Sequence, residues 1–373
     1  RNRGAVEGQE IPPVQAEVHG ELTDVRLTPD PGLLVPWQVE SLAVCMLSGN
    51  MRLYRDLVQR GSCDLSYEVR GQGRFRVNVF QQQGSLALVM RKLSMQVPTL
   101  EGLKMPAVFR DMAREKFGLI LVTGATGTGK STSLAALVDG INASSSQHIL
   151  TLEDPVEFVH THKKGTVNQR EFGIDFDSFA SGLRAALRQA PKVILVGEIR
   201  DKETISIALE AAETGHLVLG TLHTSDTAQT INRIIGMFEL GEERLIRGRL
   251  AESLKYIVSQ RLMPRQQGGR VAAFEVLVNN IRIRELIQNG EQEEKTFARV
   301  LESGTNAGMI HFDQYLADLF ERGTVSEEIA MLNGSDKSNL GQMIDRIKSR
   351  RGEKVTDIEG LELDTEYDRT IEF

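Results

Sequence analysis

The sequence predicts an α/β protein in which a small α+β domain precedes a larger domain with a parallel sheet. Two observations lead to this prediction. Three runs with alternating apolar residues lie between Cys63 and Met90 and are separated by glycines, which predicts an antiparallel meander. Further along, short continuous apolar runs alternate with helical stretches, as in βαβ units with strands buried on both faces. These runs lie at 119–123, 148–152, 193–196 and 217–221.

Composition is that of a soluble globular protein. The chain has 373 residues, of which 40% are hydrophobic and 25% charged, with a net charge of −7. The acidic balance argues against nucleic acid as a specific partner, and no apolar run is long enough to span a bilayer. Cys45 and Cys63 form no C-x-x-C pair, so neither a zinc site nor a structural disulfide is expected. We expect a cytoplasmic protein whose natural start lies upstream of Arg1.

The first predicted domain covers residues 1–93. Its opening stretch is rich in Pro, Gly and Glu, with short strands predicted at 14–18 and 23–27. Helical spacing follows at 36–47 and 51–58, before the meander.

A linker with Pro98 and Pro106 is predicted at 94–106, and the main domain at 107–290. Helices are predicted near 179–188 and 203–213. After Thr227 the pattern becomes mostly helical, interrupted by one strand at 271–278, and it leads into a helical region at 291–352. Residues 353–373 hold eight acids and two bases, so we expect a disordered acidic tail.

A glycine-rich segment that begins at Gly124 matches the pattern G-x-x-x-x-G-K-[ST] between a predicted strand and a predicted helix. Its glycines allow a tight turn whose N–H groups point at a triphosphate, and the helix presents its positive end to the same anion. Lys130 would reach the β- and γ-phosphates of ATP, and the Ser131 hydroxyl would bind Mg²⁺. The alternative is a glycine-rich turn with an incidental lysine. The predicted nucleotide-binding residues are Gly124, Ala125, Thr126, Gly127, Thr128, Gly129, Lys130, Ser131 and Thr132.

Acidic residues follow two of the predicted strands, at the sheet edge where ligands of open α/β sheets bind. The strand at 193–196 leads to Glu198, which we interpret as a Walker B acid with Glu in place of the usual Asp. Its alternative role is to cap the next helix. Glu153, Asp154 and Glu157 follow another strand, and one of them could deprotonate the attacking water. Turn formation around Asp154 and Pro155 is the alternative.

One strand has a histidine at each end. His223 should emerge at the carboxyl end of the strand beside the phosphates, whereas His216 lies at the opposite end. A single histidine is more often structural than catalytic, and position alone assigns His216 a structural role.

The order of these motifs resembles the Walker A, Asp, Walker B and His boxes of the secretion-type hexameric ATPases. The four segments are GATGTGKS, LEDPVE, VGEIRD and AETGH…TLHT, and the resemblance runs from about Gly20 to Ile287. Within that family the chain is most similar to the type IV pilus retraction ATPases (PilT and PilU type), because the paired C-x-x-C motifs of the assembly and type II secretion relatives are absent. The segments LRQAP and SNLGQMID resemble the accessory PilU type more than the PilT type.

The resemblance implies a fold, in which a PAS-like N-terminal domain precedes a RecA-like P-loop core. It also implies roles for the acidic residues and histidines. Glu157 would be the catalytic carboxylate, Glu198 would act on Mg²⁺ and water, and His223 would lie near the γ-phosphate. Glu153, Asp154 and His216 would support them.

The resemblance implies roles for two pairs of arginines as well. Arg76 and Arg91, on the meander, match arginines that reach the nucleotide from the first domain. Arg184 and Arg188 match a second pair on a helix of the core. Without the family, Arg76 and Arg91 would indicate a solvated basic strand face.

The function implied is ATP hydrolysis by a subunit of a homo-hexameric ring that retracts type IV pili and drives twitching motility. A paralogous retraction ATPase and the inner-membrane platform protein are the expected partners, with the ring peripheral at the pilus base. In one motif RIRELI, at residues 282–287, replaces the family's AIRNLI. The alternatives are an ATPase for pilus assembly, secretion or conjugation, and an ATP-binding structural partner of another motor.

Overall fold

The computed structural model describes residues 14–18, 21–24, 34–94 and 96–353 of the chain. Toward the N-terminus a pair of short strands forms an antiparallel ribbon, and two helices then pack on a three-stranded antiparallel sheet of order β3-β4-β5. The elements are β1 Gln15–Val18, β2 Glu21–Asp24, α1 Pro36–Leu47, α2 Met51–Arg60, β3 Ser62–Val69, β4 Gly73–Gln82 and β5 Ser85–Lys92.

The core is a seven-stranded sheet with helices on both faces, followed by C-terminal helices. Its elements are α3 Val108–Met112, β6 Gly118–Thr123, α4 Lys130–Ser144, β7 His148–Glu153, β8 Thr166–Glu171, α5 Phe179–Ala186, β9 Val193–Val196, α6 Lys202–Glu213, β10 Leu217–Leu222, α7 Thr227–Ile235, α8 Glu243–Ser253, β11 Leu254–Pro264, β12 Arg270–Val278 and α9 Ile281–Asn289. The last helices are α10 Phe297–Ser303, α11 Phe312–Glu321, α12 Glu327–Asn333 and α13 Lys337–Arg350.

The strand order of the core sheet is β12-β11-β6-β10-β9-β7-β8, and neighbours are parallel except for the antiparallel pair β11 and β12. All six residues of the interior strand β6 are buried. Leu119 and Leu121 face one apolar cluster, with α6 and α8, while Ile120 and Val122 face the other, with α4. Burial on both faces explains why this strand reads as one continuous apolar run.

The predicted α/β class is confirmed, and so are the antiparallel meander and the helices after Pro36 and Met51. The first predicted strand is β1, and β2 begins two residues before the predicted 23–27 strand, whose last three residues lie outside the described ones. Nearly all of the acidic tail, residues 354–373, also lies outside them. The domain boundaries stay predictions.

The expectation of a single strand after Thr227 is wrong, because β11 precedes β12 and pairs with it along nine residues. No turn residue separates β11 from α8, and Lys255, Gln260 and Arg261 interrupt its apolar pattern. Gly268 and Gly269, both at positive φ between the two strands, are the hairpin signal that reveals it. The edge strand β8 was not predicted either, since its sequence TVNQRE is mostly polar.

Candidate functional site

The glycine-rich loop connects the end of β6 to the start of α4. Gly124, Gly127 and Gly129 have φ of +145°, +83° and +89°, which other residues rarely adopt. A Cβ at Gly124 would lie 2.5 Å from the Gln260 carbonyl oxygen. Gln260 also holds the loop through its side chain, which donates to Thr128 O at 2.6 Å and accepts from Ser133 Oγ at 2.8 Å. The unpredicted strand β11 therefore supports the loop from behind.

Lys130 is the first residue of α4, and its ammonium folds back over the loop. Nζ donates to Gly124 O at 2.7 Å and to Ala125 O at 3.0 Å, and it lies 3.5 Å from His223 Nδ1. Burial lowers the pKa of Lys130, and the charges of Glu198 and Glu157 oppose that shift. Two carboxylates and a histidine thus surround the lysine.

Glu198 follows β9 and is bound from two sides. Arg200 forms a forked ion pair with it, with Nη2 donating to Oε2 at 2.5 Å and Nε contacting Oε1. His223 Nε2 lies 3.3 Å from Oε1. Burial alone would raise the pKa of Glu198, but the hydrogen bonds and charges of Arg200 and His223 outweigh it and lower the pKa. Glu198 is therefore an ionised carboxylate at neutral pH.

The acidic segment that begins at the last residue of β7 forms one wall of a cleft beside the loop. Glu153 Oε1 accepts from Thr151 Oγ1 at 2.6 Å and from Gln169 Nε2 at 2.9 Å. Burial raises the pKa of Glu153 despite these hydrogen bonds. Desolvation also raises the pKa of Asp154, against the charges of Arg76 and Arg200. The polar residues lining this acidic cleft are Ser131, Glu153, Asp154, Glu157, His160, Glu198 and Thr221.

A second recess lies on the other side of the loop, with a volume of about 610 Å³. Gly129 and Thr132 open into it from the loop, and residues 102–105 and α11 form its far walls. Its charged lining residues are all basic: Lys104, Arg265, Arg270 and Arg322. The charged residues that line the acidic cleft are, by contrast, all carboxylates. The phosphate-binding loop therefore separates recesses of opposite charge within the described chain.

The N-terminal sheet presents arginines to the core. Arg76 on β4 pairs in register with Arg91 on β5, so two like charges are direct cross-strand neighbours. Arg76 lies close enough to Asp154 for its charge to oppose the rise in the Asp154 pKa. Like charges in such a pair repel; Asp64, 4.0 Å from Arg76 Nε, offsets part of this repulsion, and an anion shared by both arginines would offset more of it.

Three predicted supporting residues lie away from the loop within one chain. Arg184 forms an ion pair with Glu203 at 2.5 Å on the exposed surface of α5 and α6. Arg188 is exposed after the end of α5. His216 lies at the start of β10, where Nδ1 is 3.0 Å from Ala211 O. The structure brings together the loop, Glu153, Asp154, Glu157, Glu198 and His223.

Sequence reasoning missed four polar residues at or near this site, namely Arg200, Gln260, His160 and Glu171. Arg200 lies two residues beyond Glu198 and binds it, so this contact could have been predicted from the short VGEIRD segment. His160 is 8% exposed and its Nδ1 has no partner among the described residues. Gln260 and Glu171 act through partners far away in sequence, and no local pattern reveals them.

The oxygen-rich acidic cleft suits a hard cation such as Mg²⁺. No group of three or more His, Cys, Asp or Glu side chains among the described residues could hold a metal by itself. In nucleotide sites Mg²⁺ binds through one or two protein oxygens together with phosphates and waters. Ser131, exposed at the first turn of α4, and Glu198 both line the cleft and are the predicted protein ligands.

Comparisons with known proteins agree on one family. The sequence profile of the type II/IV secretion system protein family matches residues 57–312. The type IV pilus retraction ATPase PilT of Pseudomonas aeruginosa is 43% identical over 320 residues, which cover 86% of this chain and 90% of PilT. The type IV pilus ATPase PilU of the same organism is 39% identical over 335 residues, covering 90% of this chain and 85% of PilU.

A crystal structure of the pilus retraction motor PilT with bound ADP superposes with a TM-score of 0.80 at 42% identity, over 88% of this chain and 92% of that one. The identities to PilT and PilU are similar and do not favour the accessory type. Among the described residues, no helix is long and apolar enough to cross a bilayer. The fold, the order of the four motifs and these matches show that the chain belongs to the type II/IV secretion system protein family, alongside the pilus retraction ATPases.

Proposed function

We propose that the chain is an ATP-hydrolysing motor subunit that powers type IV pilus retraction. The observation that carries the proposal is a continuous set of contacts, in which Lys130 meets His223 and His223 meets Glu198. The acids of the segment after β7 line the same cleft. Phosphoryl transfer depends on positioning and charge stabilisation more than on covalent chemistry, and this set supplies both.

The two recesses hold opposite ends of ATP, and Mg²⁺ bound with the phosphates would offset the repulsion between the γ-phosphate and the carboxylates of the acidic cleft. The γ-phosphate faces the acidic cleft, where Glu157 accepts a proton from water and Glu198 orients that water. His223 lies beside the same phosphate. The nucleoside leaves the loop past Gly129 and Thr132 into the basic recess, whose volume is that of a typical small-molecule site.

Mg²⁺ would be held by Ser131 and Glu198 with the phosphates, and when bound it neutralises phosphate charge. Arg76 and Arg91 approach from the N-terminal domain and stabilise the charge that develops on the γ-phosphate, which removes their mutual repulsion. Arg184, Arg188 and His216 have supporting roles. They lie away from the loop of their own chain, so these roles would not depend on direct contact with it.

The resemblance and the relatives also support an assembly. The subunits form a homo-hexameric ring, alone or with a paralogous retraction ATPase, in the cytoplasm at the inner-membrane pilus base. The ring docks on the platform protein of the pilus machine. The absence of paired C-x-x-C motifs favours retraction over assembly or type II secretion.

Two measurements test this function. The purified protein should release phosphate from ATP in a Mg²⁺-dependent manner, alone or when mixed with the paralogous motor. A strain that lacks the gene should keep surface pili and lose twitching or strong retraction. Loss of surface pili would instead indicate an assembly motor, and absence of phosphate release under both conditions would indicate a structural partner.

A further inference from the structure

Glu171 is a buried carboxylate outside the motifs that define the site. It ends β8, directly opposite Glu153 in the register with β7. Its side chain is 6% exposed, and the side chain of its ion-pair partner Arg74 is 17% exposed. A buried carboxylate is strongly unfavourable unless it is paired and hydrogen-bonded, so the donors around Glu171 determine which arrangement of the chain is stable.

Three donors from two separate regions of the chain converge on a single oxygen of Glu171. From the N-terminal sheet, Arg74 Nη2 donates to Oε2 at 2.7 Å and Ser66 Oγ donates at 3.0 Å. From the core, the backbone N–H of Val156 donates to the same oxygen at 3.2 Å. Val156 immediately precedes Glu157, so one carboxylate holds both the N-terminal sheet and the segment that carries the proposed base.

A second contact docks the N-terminal domain on the same stretch of the core. Arg52 on α2 forms an ion pair with Asp177 at 2.8 Å, and its guanidinium lies 5.2 Å from the centre of the Phe172 ring. Phe172 directly follows Glu171. Two separate elements of the N-terminal domain, α2 and the β3–β4 sheet, therefore contact the core between residues 171 and 177.

The contact with Glu171 also determines where the arginines of the sheet point. Arg74 and Arg76 are two residues apart on β4 and so lie on one face, opposite Val77 and Val79, which pack on α1 and α2. With Arg74 bound to Glu171, Arg76 lies beside Asp154 and Arg91 lies next to Arg76.

We propose that Glu171 is a positioning residue for hydrolysis, which aligns the N-terminal arginines and the Glu157 segment with one another. The inference rests on the proposed ATPase function. When Glu171 is paired, Arg76 lies near Asp154, which lines the same cleft as Glu157. When the pair breaks, the sheet loses its anchor and the Glu171 carboxylate, left buried without its counter-charge, no longer holds one position for the Val156 N–H, so both sides of the site lose alignment together.

Hydrogen exchange of the full chain tests the alignment without using activity. In Arg74→Ala and in Glu171→Gln, amides in the segment 154–160 should exchange about tenfold faster, while those in the middle of α4 keep wild-type rates. Arg70→Ala is the matched control, since Arg70 is exposed in the turn between β3 and β4. Unchanged exchange at 154–160 in both variants would overturn the proposal, whether or not the protein hydrolyses ATP.

Kinetics then separate alignment from simple stabilisation. Glu171→Gln and Arg74→Ala should each lower kcat about tenfold with ATP affinity within about threefold of wild type, and the double variant should be no slower than the slower single variant. Adding Glu171→Gln to Arg76→Ala should have little further effect on kcat. A lower Tm with wild-type kcat, or full additivity with Arg76→Ala, would show that Glu171 is only structural. Absence of turnover in the wild type would refute the ATPase function and leave the exchange result standing.

Discussion

The acidic cleft and the basic recess lie on opposite sides of the phosphate-binding loop. They differ in charge and in the elements that form their walls. The acidic cleft is built by residues at the carboxyl ends of adjacent strands, β7, β9 and β10. The basic recess is built by segments distant in sequence, namely residues 102–105, the β11–β12 hairpin and α11. In the proposed binding mode, the reacting end of ATP lies at the parallel strands, and the nucleoside end lies at the antiparallel β11–β12 edge of the sheet and the segments packed on it.

The largest expected effect tests the acidic side. Glu157→Gln should lower kcat about 10³-fold with ATP affinity within a few-fold of wild type, because the amide keeps the size but accepts no proton. Phosphate release and equilibrium ATP binding measure the two quantities. Glu328→Gln, an exposed change on α12, is the control. Wild-type turnover in Glu157→Gln would transfer the role of base to Glu153.

The second prediction concerns the boundary between the two recesses. Lys130→Ala should weaken the binding of ATP and of inorganic tripolyphosphate alike, each about 100-fold, since the ammonium binds phosphate and not the nucleoside. Calorimetric titration of both ligands checks this. Loss of ATP binding with tripolyphosphate binding intact would show that Lys130 does not contact the phosphates.

The third prediction tests the basic side. Combined Arg265→Ala and Arg270→Ala should raise the Kd for ATP about tenfold and leave the Kd for tripolyphosphate within about twofold, because these side chains line the nucleoside recess. Both arginines are exposed, so the variant should fold. Arg244→Ala, on the opposite face of the sheet, is the control. Equal loss of both ligands would place the two arginines on the phosphates and remove the distinction between the recesses.

The smallest effect is the pH dependence of stability. The pKa of Glu198 is lowered in the folded protein from its ordinary value of 4.5. The ion pair with Arg200 and the contact with His223 therefore contribute stability that is fully present above pH 4.5 and is lost as the pH falls through the lowered pKa. The Tm difference between wild type and Glu198→Gln should shrink as the pH falls below that value. A constant difference would show that Glu198 is not ionised in this arrangement.

The sequence could predict the parts of the site that depend on neighbouring residues. The loop from Gly124 to Ser131 and the strand that leads to Glu198 are contiguous patterns, and parallel strand ends must meet at one edge. Arg184 and His216 came from the resemblance, and in one chain they lie away from the loop. Arg200 could have been predicted from the sequence, since it lies two residues after Glu198, the predicted Walker B acid.

Other features depend on contacts that no local pattern encodes. Glu171 and Arg74 are 97 residues apart, and Gln260 lies 132 residues from Thr128. The basic recess requires the packing of α11 against β12, a contact that forms only in the folded chain. Sequence reasoning also missed β11, because its polar residues serve the loop and break the apolar pattern by which a strand is recognised.

The hydrogen bonds of Lys130 to its own loop have a kinetic consequence. The Lys130 ammonium donates to Gly124 O and Ala125 O. A nucleotide phosphate must therefore compete with these two carbonyls for the ammonium. This competition lowers the affinity for ATP and ADP together, and after hydrolysis the carbonyls recapture the lysine as the product departs. A catalytic cycle limited by product release would be faster because of this recapture. The loop carbonyls would thus favour release of the product.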